Sequence, residues 1–286
     1  MTDTPLTWLY APGDRPHVVA KALTSGADVV VVDLEDAVAP DRKAYARDAT
    51  AELLSDGHRS APAAVPVHVR VNALDGPWGA ADLAALAPAP GLGGLRLPKV
   101  ARPSDVLRAA LQIGEATGTP TGEVQVPLYA LLETALGIER AFAVARCHPA
   151  LRGVALGEAD LRADLGVRGD AGLDWPRSRV VVAARAAGLA PPPQSAHPDT
   201  RDLAGLTASC AHGRALGFVG RSAVHPRQLP VIERAYLPTR REIEQAETVV
   251  KAAARQAGAQ ALADGRFVDA AVVRAARRTL GLVRRR

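Results

Sequence analysis

Four consecutive valines at residues 29–32 constrain the fold of this chain more than any other segment. Because the valines are contiguous, both faces of a strand built from them are apolar. A strand buried on both faces is typical of a parallel sheet that is covered by helices. The run is also far too short to cross a bilayer. It therefore predicts an α/β fold with a parallel sheet.

Short β-rich segments alternate with alanine-rich segments of helical period over most of the chain. The predicted strands are residues 7–10, 28–34, 65–72, 94–98, 126–132, 153–157, 191–196 and 218–224. The seventh is the weakest, because its prolines cannot donate hydrogen bonds to a neighbouring strand. Eight βα units in this length predict a (β/α)8 TIM barrel. A doubly wound open sheet is the alternative, but the first βα turn lacks the Gly-x-Gly-x-x-Gly fingerprint.

The pattern changes after Tyr236, where strand-like segments stop. Helices are predicted over residues 240–257, ending before Gly258, and over residues 270–282, with a turn at residues 264–269. We expect a barrel domain over residues 1–236. We expect residues 237–286 to form a C-terminal helical extension that serves as a lid or as an arm between subunits.

Charge and composition exclude several classes of function. The net charge of +5 comes almost entirely from scattered arginines, and aromatic residues are only 3% of the chain, which argues against a nucleic-acid-binding face. The cluster Arg284, Arg285 and Arg286 is interpreted as a solvated tail, while the general excess can steer an anionic small molecule. Two cysteines cannot build a disulfide framework. With no signal-peptide pattern at the start, we expect a cytoplasmic protein without a membrane partner.

Polar residues follow the predicted strands, at the end of a barrel where active sites are built. Glu133 and Asp160 follow neighbouring strands and suit Mg²⁺, which takes oxygen ligands and often needs only one or two protein carboxylates. The alternative is that both are helix caps. Arg70 ends the third strand, and its planar fork matches a substrate carboxylate. It could equally form an ion pair with Glu35 or Asp36.

Other reactive residues have simpler interpretations. Lys99 is the lysine at a strand end, so it is the candidate for a Schiff base, but it could equally pair with a carboxylate. Cys147 and Cys210 fall in helical segments and are expected to be small core residues. His225 precedes Pro226 at a predicted helix start. A capping or phosphate-positioning role is expected there, because no Gly-x-Ser-x-Gly motif accompanies Ser222.

Taken in order, these motifs resemble the HpcH/HpaI aldolase/citrate lyase family, and within it the citrate lyase beta-subunit-like branch. The resemblance rests on residues 9–16 (LYAPGDRP), 26–28 (GAD), 33–38 (DLEDAV), 69–72 (VRVN), 97–100 (LPKV), 132–134 (LET), 157–161 (GEADL), 215–226 (ALGFVGRSAVHP) and 265–269 (GRFVD). Each piece is short, but together they extend from residue 9 to residue 269.

The resemblance implies a TIM barrel with a C-terminal helical region, assembled as a homotrimer or as a hexamer of two trimers. It implies magnesium, coenzyme A thioesters and the cleavage or formation of carbon–carbon bonds. Glu133 and Asp160 correspond to metal ligands, and Arg70 to the arginine that holds the carboxylate of a 2-oxo acid. Asp269 corresponds to a catalytic aspartate on a mobile lid that reaches a neighbouring subunit. Arg15, Glu35 and Asp36, in the matching opening motifs, are expected to bind substrate.

The sequence departs from the family pattern in three places. Pro193, Gln194 and Ser195 stand where the family has Ile-Asp-Gly, which predicts an altered pocket wall. Arg221 replaces a lysine, and a proline that follows the lid aspartate is missing, so the lid is expected to be looser.

These observations predict a magnesium-dependent lyase that cleaves or condenses a carboxylated 3-hydroxyacyl-CoA, such as citryl-, malyl- or citramalyl-CoA. The products of cleavage are a 2-oxo acid and a short acyl-CoA. Alternatives on the same fold are an acyl-CoA thioesterase and a metal-dependent 2-oxo-acid aldolase. A non-catalytic protein that binds CoA or another subunit is the alternative of a different class.

Overall fold

A computed structural model describes residues 4–55, 65–119, 124–255, 258–262 and 265–283. Within these residues, seven strands form one parallel sheet in the order β6-β5-β4-β3-β2-β1-β7. The strands are β1 (Thr7–Pro12), β2 (Val29–Asp33), β3 (Val67–Arg70), β4 (Leu92–Leu97), β5 (Leu128–Leu132), β6 (Leu151–Leu156) and β7 (Arg221–Ala223). Every residue of β2 is buried, as the valine run predicts. The sheet curls into an incomplete barrel of the TIM type, which confirms the predicted fold class.

The predicted seventh strand, residues 191–196, is wrong as a strand. Only Gln194 makes a bridge, to Arg221, because the three preceding prolines have no N–H to donate. The segment nevertheless lies between β6 and β7. Its Gln194 carbonyl accepts from the Ser222 amide at 2.9 Å, and its Ser195 hydroxyl donates to the Leu156 carbonyl. An irregular segment therefore fills the place of the predicted seventh strand, between β6 and β7.

In the described part of the chain, ten helices connect or flank these strands and cover the outside of the barrel. They are α1 (Pro16–Leu23), α2 (Lys43–Ser55), α3 (Gly79–Leu86), α4 (Pro103–Thr117), α5 (Ala135–Glu139), α6 (Ala141–Ala145), α7 (Glu158–Leu165), α8 (Asp174–Ala186), α9 (Leu203–Leu216) and α10 (Leu229–Tyr236). The apolar faces of helices and strands form one large core. A separate small cluster of Trp8, Val29 and Val31 lies on the other face of the sheet, inside the barrel.

The C-terminal extension consists of two helices and a short hairpin. α11 (Arg240–Arg255) and α12 (Ala270–Gly281) pack together, and between them β8 (Gln260–Ala261) pairs antiparallel with β9 (Phe267–Val268). Four buried residues form a small core of their own: Ala246, Val249, Val268 and Ala276. The predicted turn at residues 264–269 thus contains a strand. Residue 264 and the arginine tail at 284–286 lie outside the described residues, and the division at residue 236 stays a prediction.

No helix in the described part of the chain is both long enough and apolar enough to cross a membrane.

Candidate active site

A cavity of about 490 Å³ opens at the carboxyl ends of the strands. Parallel strands bring their carboxyl ends to the same edge, which is why residues distant in the sequence meet here. The charged part of the lining consists of Asp33, Asp36, Arg70, Glu133, Glu158 and Asp160. Tyr10, Leu131 and several small residues form the apolar part.

Glu133 and Asp160 face this cavity, and neither is a helix cap. The residue that caps α5 is Thr134, whose hydroxyl accepts from the Gly137 amide at 3.1 Å. The capping position of α7 is Gly157, which has no side chain to make a cap. The helix-cap alternative for the two carboxylates is therefore wrong. Both line the cavity.

Lys99 lies between the two carboxylates. Its ammonium group donates a hydrogen bond to Asp160 Oδ2 and lies 3.8 Å from Glu133 Oε1. Its backbone amide also donates to Glu133 Oε1, at 2.5 Å. Burial lowers the pKa of Lys99, but the hydrogen bond to Asp160 and the nearby carboxylate charges outweigh it, and the net direction is upward. A protonated amine is not a nucleophile, so this pairing argues against the Schiff-base interpretation.

The two carboxylates fit a magnesium ion in chemistry and in placement. Both already converge on a cationic group, and both offer the oxygen ligands that Mg²⁺ prefers. Gly157 leaves room for the Glu133 side chain, since a Cβ there would come within 2.1 Å of Glu133 Oε2. Burial, followed by the Asp160 charge, raises the pKa of Glu133 against the charges of Lys99 and Arg70. A cation bound there would offset that unfavourable burial.

The site supplies few protein ligands. Among the described residues, no group of three or more histidine, cysteine, aspartate or glutamate side chains is arranged to hold a metal. A metal held by Glu133 and Asp160 would therefore keep most of its coordination positions for water or substrate oxygens. Such a sparse protein ligand set is characteristic of magnesium sites.

Arg70 stands at the end of β3 and is held by three carboxylates. Its Nε and Nη2 donate to the two oxygens of Asp33 at 2.7 and 2.6 Å. Its Nη1 lies 2.8 Å from Glu35 Oε2 and 3.1 Å from Asp36 Oδ2. The ion pair that was the alternative to substrate binding is therefore present. Its strongest partner, Asp33, was not among the residues predicted to act in the site.

The acidic loop after β2 contains a carboxyl group whose pKa lies above its usual range. Burial, followed by the charges of Asp36 and Glu133, raises the pKa of Glu35 to about 8 against the charges of Arg70 and Lys99. Glu35 Oε2 has no hydrogen-bond partner of good geometry. Lys43, buried beneath the loop, donates to the carbonyls of Leu34 and Glu35 at 2.7 and 2.6 Å. Sequence reasoning missed this lysine, which fixes the backbone of the loop.

Three predicted site residues do not line this cavity, and the first of them, Glu35, contacts Arg70 from outside the lining. Arg15 is exposed at the start of α1, and Asp14 is its ion-pair neighbour, at 4.0 Å. Asp269 caps α12, where its Oδ1 accepts from the amides of Ala271 and Val272 at 2.8 and 2.9 Å. Asp269 lines a different cavity, on the C-terminal extension. Within one chain it therefore acts as a helix cap.

The departure at Gln194 and Ser195 affects the cavity only in part. Ser195 lines the cavity, and its hydroxyl accepts from the Glu158 amide at 3.2 Å. The buried Gln194 side chain instead contacts Tyr236, Arg221 and the carbonyl of Ser209. The two substituted positions 194 and 221 thus contact each other, outside the pocket. Of the three substituted residues at 193–195, only Ser195 lines the cavity.

Glu158 is a further carboxylate that lines the cavity, and a residue outside the cavity lining, Arg177, binds it. Arg177, which is buried, donates to both of its oxygens, at 2.9 and 2.7 Å. The same arginine also contacts Asp170 and Asp174. The motif at residues 157–161 contains Glu158, but the sequence offers no signal that an arginine nineteen positions later holds it.

The remaining reactive residues follow their simpler interpretations. Cys210 is buried in α9, as expected, whereas Cys147 lies in a bend after α6 and not in a helix, half-buried against the core. His225 Nδ1 accepts from the Arg227 amide at 3.1 Å and caps a 3-10 turn, Pro226–Gln228. The capping role of His225 is confirmed.

Comparison with known proteins agrees with the motif analysis. The sequence model of the HpcH/HpaI aldolase/citrate lyase family matches residues 6–226, which is more than half of the chain. The chain belongs to this family. Its family relatives include (3S)-malyl-CoA thioesterase of Cereibacter sphaeroides (strain KD131), which is 36% identical over 95% of this chain and 92% of that protein. They also include the citrate lyase beta subunit of Escherichia coli (strain K12), which is 34% identical over 98% and 93% of the two chains.

A solved structure from the same family has the same architecture along its whole length. Protein CitE from Mycobacterium tuberculosis, in complex with magnesium, acetoacetate and coenzyme A, superposes with a TM-score of 0.80. It is 32% identical, and the match covers 98% of this chain and 97% of that one.

Proposed function

We propose that this chain is a magnesium-dependent carbon–carbon lyase acting on a carboxylated 3-hydroxyacyl-CoA of the citryl-, malyl- or citramalyl-CoA type. Cleavage gives a 2-oxo acid and a short acyl-CoA, and the same residues run the condensation in reverse. The observation that carries the proposal is that Glu133 and Asp160 lie on either side of the Lys99 ammonium group and line one cavity together with Arg70. The similarity to CitE, whose structure contains magnesium, acetoacetate and coenzyme A, supports it.

Glu133 and Asp160 would hold the magnesium ion. When bound there, magnesium would supply Lewis-acid polarisation of the substrate's hydroxyl and carboxylate oxygens. Gly157 leaves the room that the Glu133 side chain occupies. Ser195 ties the start of α7, which carries Asp160, to the segment at residues 191–196.

Arg70 would bind the carboxylate of the 2-oxo acid. Asp33 holds two of its donors in a bidentate pair, and this pair fixes the plane of the guanidinium. Asp36, more than half exposed, is the partner most easily displaced from Nη1. A substrate carboxylate that replaces Asp36 would keep the charge balance around Arg70 unchanged.

Asp269 would donate a proton to the enolate carbon of the short acyl-CoA. It would do so from the lid of a neighbouring copy of the chain. Its helix cap uses only Oδ1, so Oδ2 takes no part in the cap. A site shared between subunits accounts for an Asp269 that lies outside its own cavity. On this basis we propose a homotrimer or a hexamer. We also propose that it works in the cytoplasm, because both described cysteines are free.

Thioester hydrolysis is the second candidate, favoured by the 36% identity to a (3S)-malyl-CoA thioesterase. The two reactions are separated by their products. Purified protein is given malyl-, citramalyl- and citryl-CoA with MgCl₂, and 2-oxo acid and free thiol are measured separately. The lyase releases 2-oxo acid without an equal amount of thiol, and hydrolysis releases thiol alone. A protein that only binds CoA releases neither.

A further inference from the structure

Lys99 has a strained backbone next to the site. Among the residues that the structure describes, it is the only non-glycine residue with a positive φ, at 56°. A long side chain rarely adopts this left-handed conformation, and such strain persists where the surrounding contacts enforce it. The contact that enforces it here is the hydrogen bond from the Lys99 amide to Glu133 Oε1.

The strained backbone directs the side chain of Lys99 to Asp160. One residue thus binds both carboxylates, Glu133 through its amide and Asp160 through its ammonium group. The ammonium group also lies 3.8 Å from Glu133 Oε1, so it occupies the region where the two carboxylates face each other. No other lysine or arginine in the described part of the chain forms an ion pair with either carboxylate.

We propose that Lys99 is an internal cation that competes with magnesium for Glu133 and Asp160, and that magnesium binding displaces its ammonium group. The inference rests on the proposed function, since it assumes that these two carboxylates bind magnesium. Magnesium bonds to oxygen at about 2.0–2.1 Å, so an ion bonded to Asp160 takes the position of the ammonium hydrogen bond. Two cations this close repel each other strongly in a partly buried site.

The displaced ammonium group of Lys99 can move into solvent. The Lys99 side chain is 37% exposed and sits on a flexible four-carbon stem, so it can turn into solvent while its backbone stays bonded to Glu133. The exchange replaces one cation with another and needs no proton transfer. In the absence of magnesium, Lys99 keeps the two carboxylates from repelling each other. When magnesium binds, the ion pair between Lys99 and Asp160 has to break, and this cost lowers the apparent affinity of the site for magnesium.

Calorimetric titration with MgCl₂ alone tests the competition. The Lys99→Met variant removes the ammonium group and keeps the length of the side chain, and Lys251→Met on α11 is the matched control. We expect Lys99→Met to bind Mg²⁺ roughly two- to fivefold more tightly, the factor for loss of one largely exposed charged pair. Lys99→Arg and Lys251→Met should bind as the wild type does.

The outcomes separate the two proposals. If the wild type binds Mg²⁺ and Lys99→Met binds with equal or lower affinity, the competition is refuted and the metal site stands. If neither protein binds Mg²⁺, both proposals are overturned. Tight binding by Lys99→Met alone supports the competition in its strongest form.

A second measurement needs no destabilising substitution. The chain has four lysines, Lys21, Lys43, Lys99 and Lys251, so ¹⁵N-labelled lysine gives a spectrum that is simple to assign. The Lys99 signal is the one missing from the Lys99→Arg variant. The signal that matters is that of the side-chain nitrogen, Nζ. Saturating MgCl₂ should move the Lys99 Nζ signal toward the Nζ signals of the exposed Lys21 and Lys251. A Lys99 signal that stays at its metal-free position would overturn the proposal.

Discussion

Arg70 and Asp33 form a bidentate ion pair across the ends of β2 and β3, with Nε–Oδ1 and Nη2–Oδ2 distances of 2.7 and 2.6 Å. The Asp33 side chain is 3% exposed and that of Arg70 is 14% exposed, so water solvates neither group well. The pair gives Arg70 two functions at once. It fixes the orientation of the guanidinium toward the cavity, and it neutralises a buried acid.

Removal of Arg70 should therefore destabilise the protein as well as weaken 2-oxo-acid binding. Breaking a buried pair by removing one partner costs about 3–5 kcal/mol, because the other charge is left uncompensated. We expect Arg70→Ala to lower the free energy of unfolding by roughly this amount, measured by urea denaturation. Arg70→Lys should lose nearly as much 2-oxo-acid affinity as Arg70→Ala, because a point charge cannot replace two fixed donors. The control is Arg240→Ala, at an exposed pair on α11. Wild-type stability in Arg70→Ala would show that the pair contributes nothing in solution.

Glu35 predicts a pH dependence of stability. With its pKa raised to about 8 by burial, Glu35 is expected to keep its proton to a higher pH in the folded protein than in the unfolded chain, where the ordinary value is 4.5. Between these values the folded state binds more protons than the unfolded state, so this group makes stability fall as pH rises. Glu35→Gln removes the titration and should flatten that part of the profile.

The measurement is the urea midpoint of both proteins below, within and above this pH window. Glu115→Gln, at an exposed position on α4, is the matched control and should keep the wild-type slope. An identical slope in Glu35→Gln and wild type would mean that Glu35 is ionised throughout the window.

Asp269 can be tested without disturbing its helix. Asn caps helices about as well as Asp, so Asp269→Asn should leave the unfolding free energy almost unchanged. If Asp269 handles a proton, the same change should lower kcat by roughly 10²–10⁴-fold with metal binding intact. Asp202→Asn is the control, because Asp202 caps α9 in the same way. Equal kcat in Asp269→Asn and wild type would leave Asp269 only its capping role.

Subunit mixing tests where Asp269 acts. Asp269→Asn and Glu133→Gln proteins are each expected to be inactive alone. After subunit exchange, a site shared between chains should regain part of the activity. Exchange that is demonstrated by mass spectrometry but restores nothing would place the complete site within one chain.

Gln194 should matter for stability more than for catalysis. It is buried, and its side chain contacts Arg221, Tyr236 and the Ser209 carbonyl. Gln194→Ala removes a hydrogen-bond partner from each of these groups, and a buried polar group left unsatisfied costs about 1–3 kcal/mol. We expect a lower melting temperature with KM almost unchanged. A large rise in KM with wild-type stability would return Gln194 to the pocket wall.

The sequence predicts the fold class well where a local pattern determines it. The valines of β2 can only be buried on both faces, and the alternation of strands and helices leads from there to a barrel. The segment at residues 191–196 is different. Its three prolines prevent regular strand pairing, but hydrogen bonds to β6 and β7 still hold it between these two strands. Attachment of this segment by one bridge and one serine hydroxyl depends on tertiary contacts that no local pattern contains.

The site is predictable as a set of strand ends but not as a set of contacts. One cavity is lined by four of the predicted residues: Glu133, Asp160, Arg70 and Asp36. They meet because the carboxyl ends of parallel strands lie at the same end of the barrel. Which acid would hold Arg70 could not be predicted, since a long side chain can reach several neighbours, and Asp33 was missed. The position of Lys99 between two carboxylates depends on its left-handed backbone, which sequence patterns do not reveal for a lysine.

The central claim is that Glu133 and Asp160 bind a magnesium ion that is required for carbon–carbon cleavage. The most direct measurement is 2-oxo-acid release from malyl-, citramalyl- and citryl-CoA with EDTA, and again after MgCl₂ is added back. The account predicts that EDTA abolishes release and that MgCl₂ restores it in wild type and in Glu139→Gln, a control on the exposed face of α5. It predicts no recovery in Glu133→Gln at the same magnesium concentration. Release that persists in EDTA, or a Glu133→Gln enzyme with wild-type magnesium dependence, would contradict it.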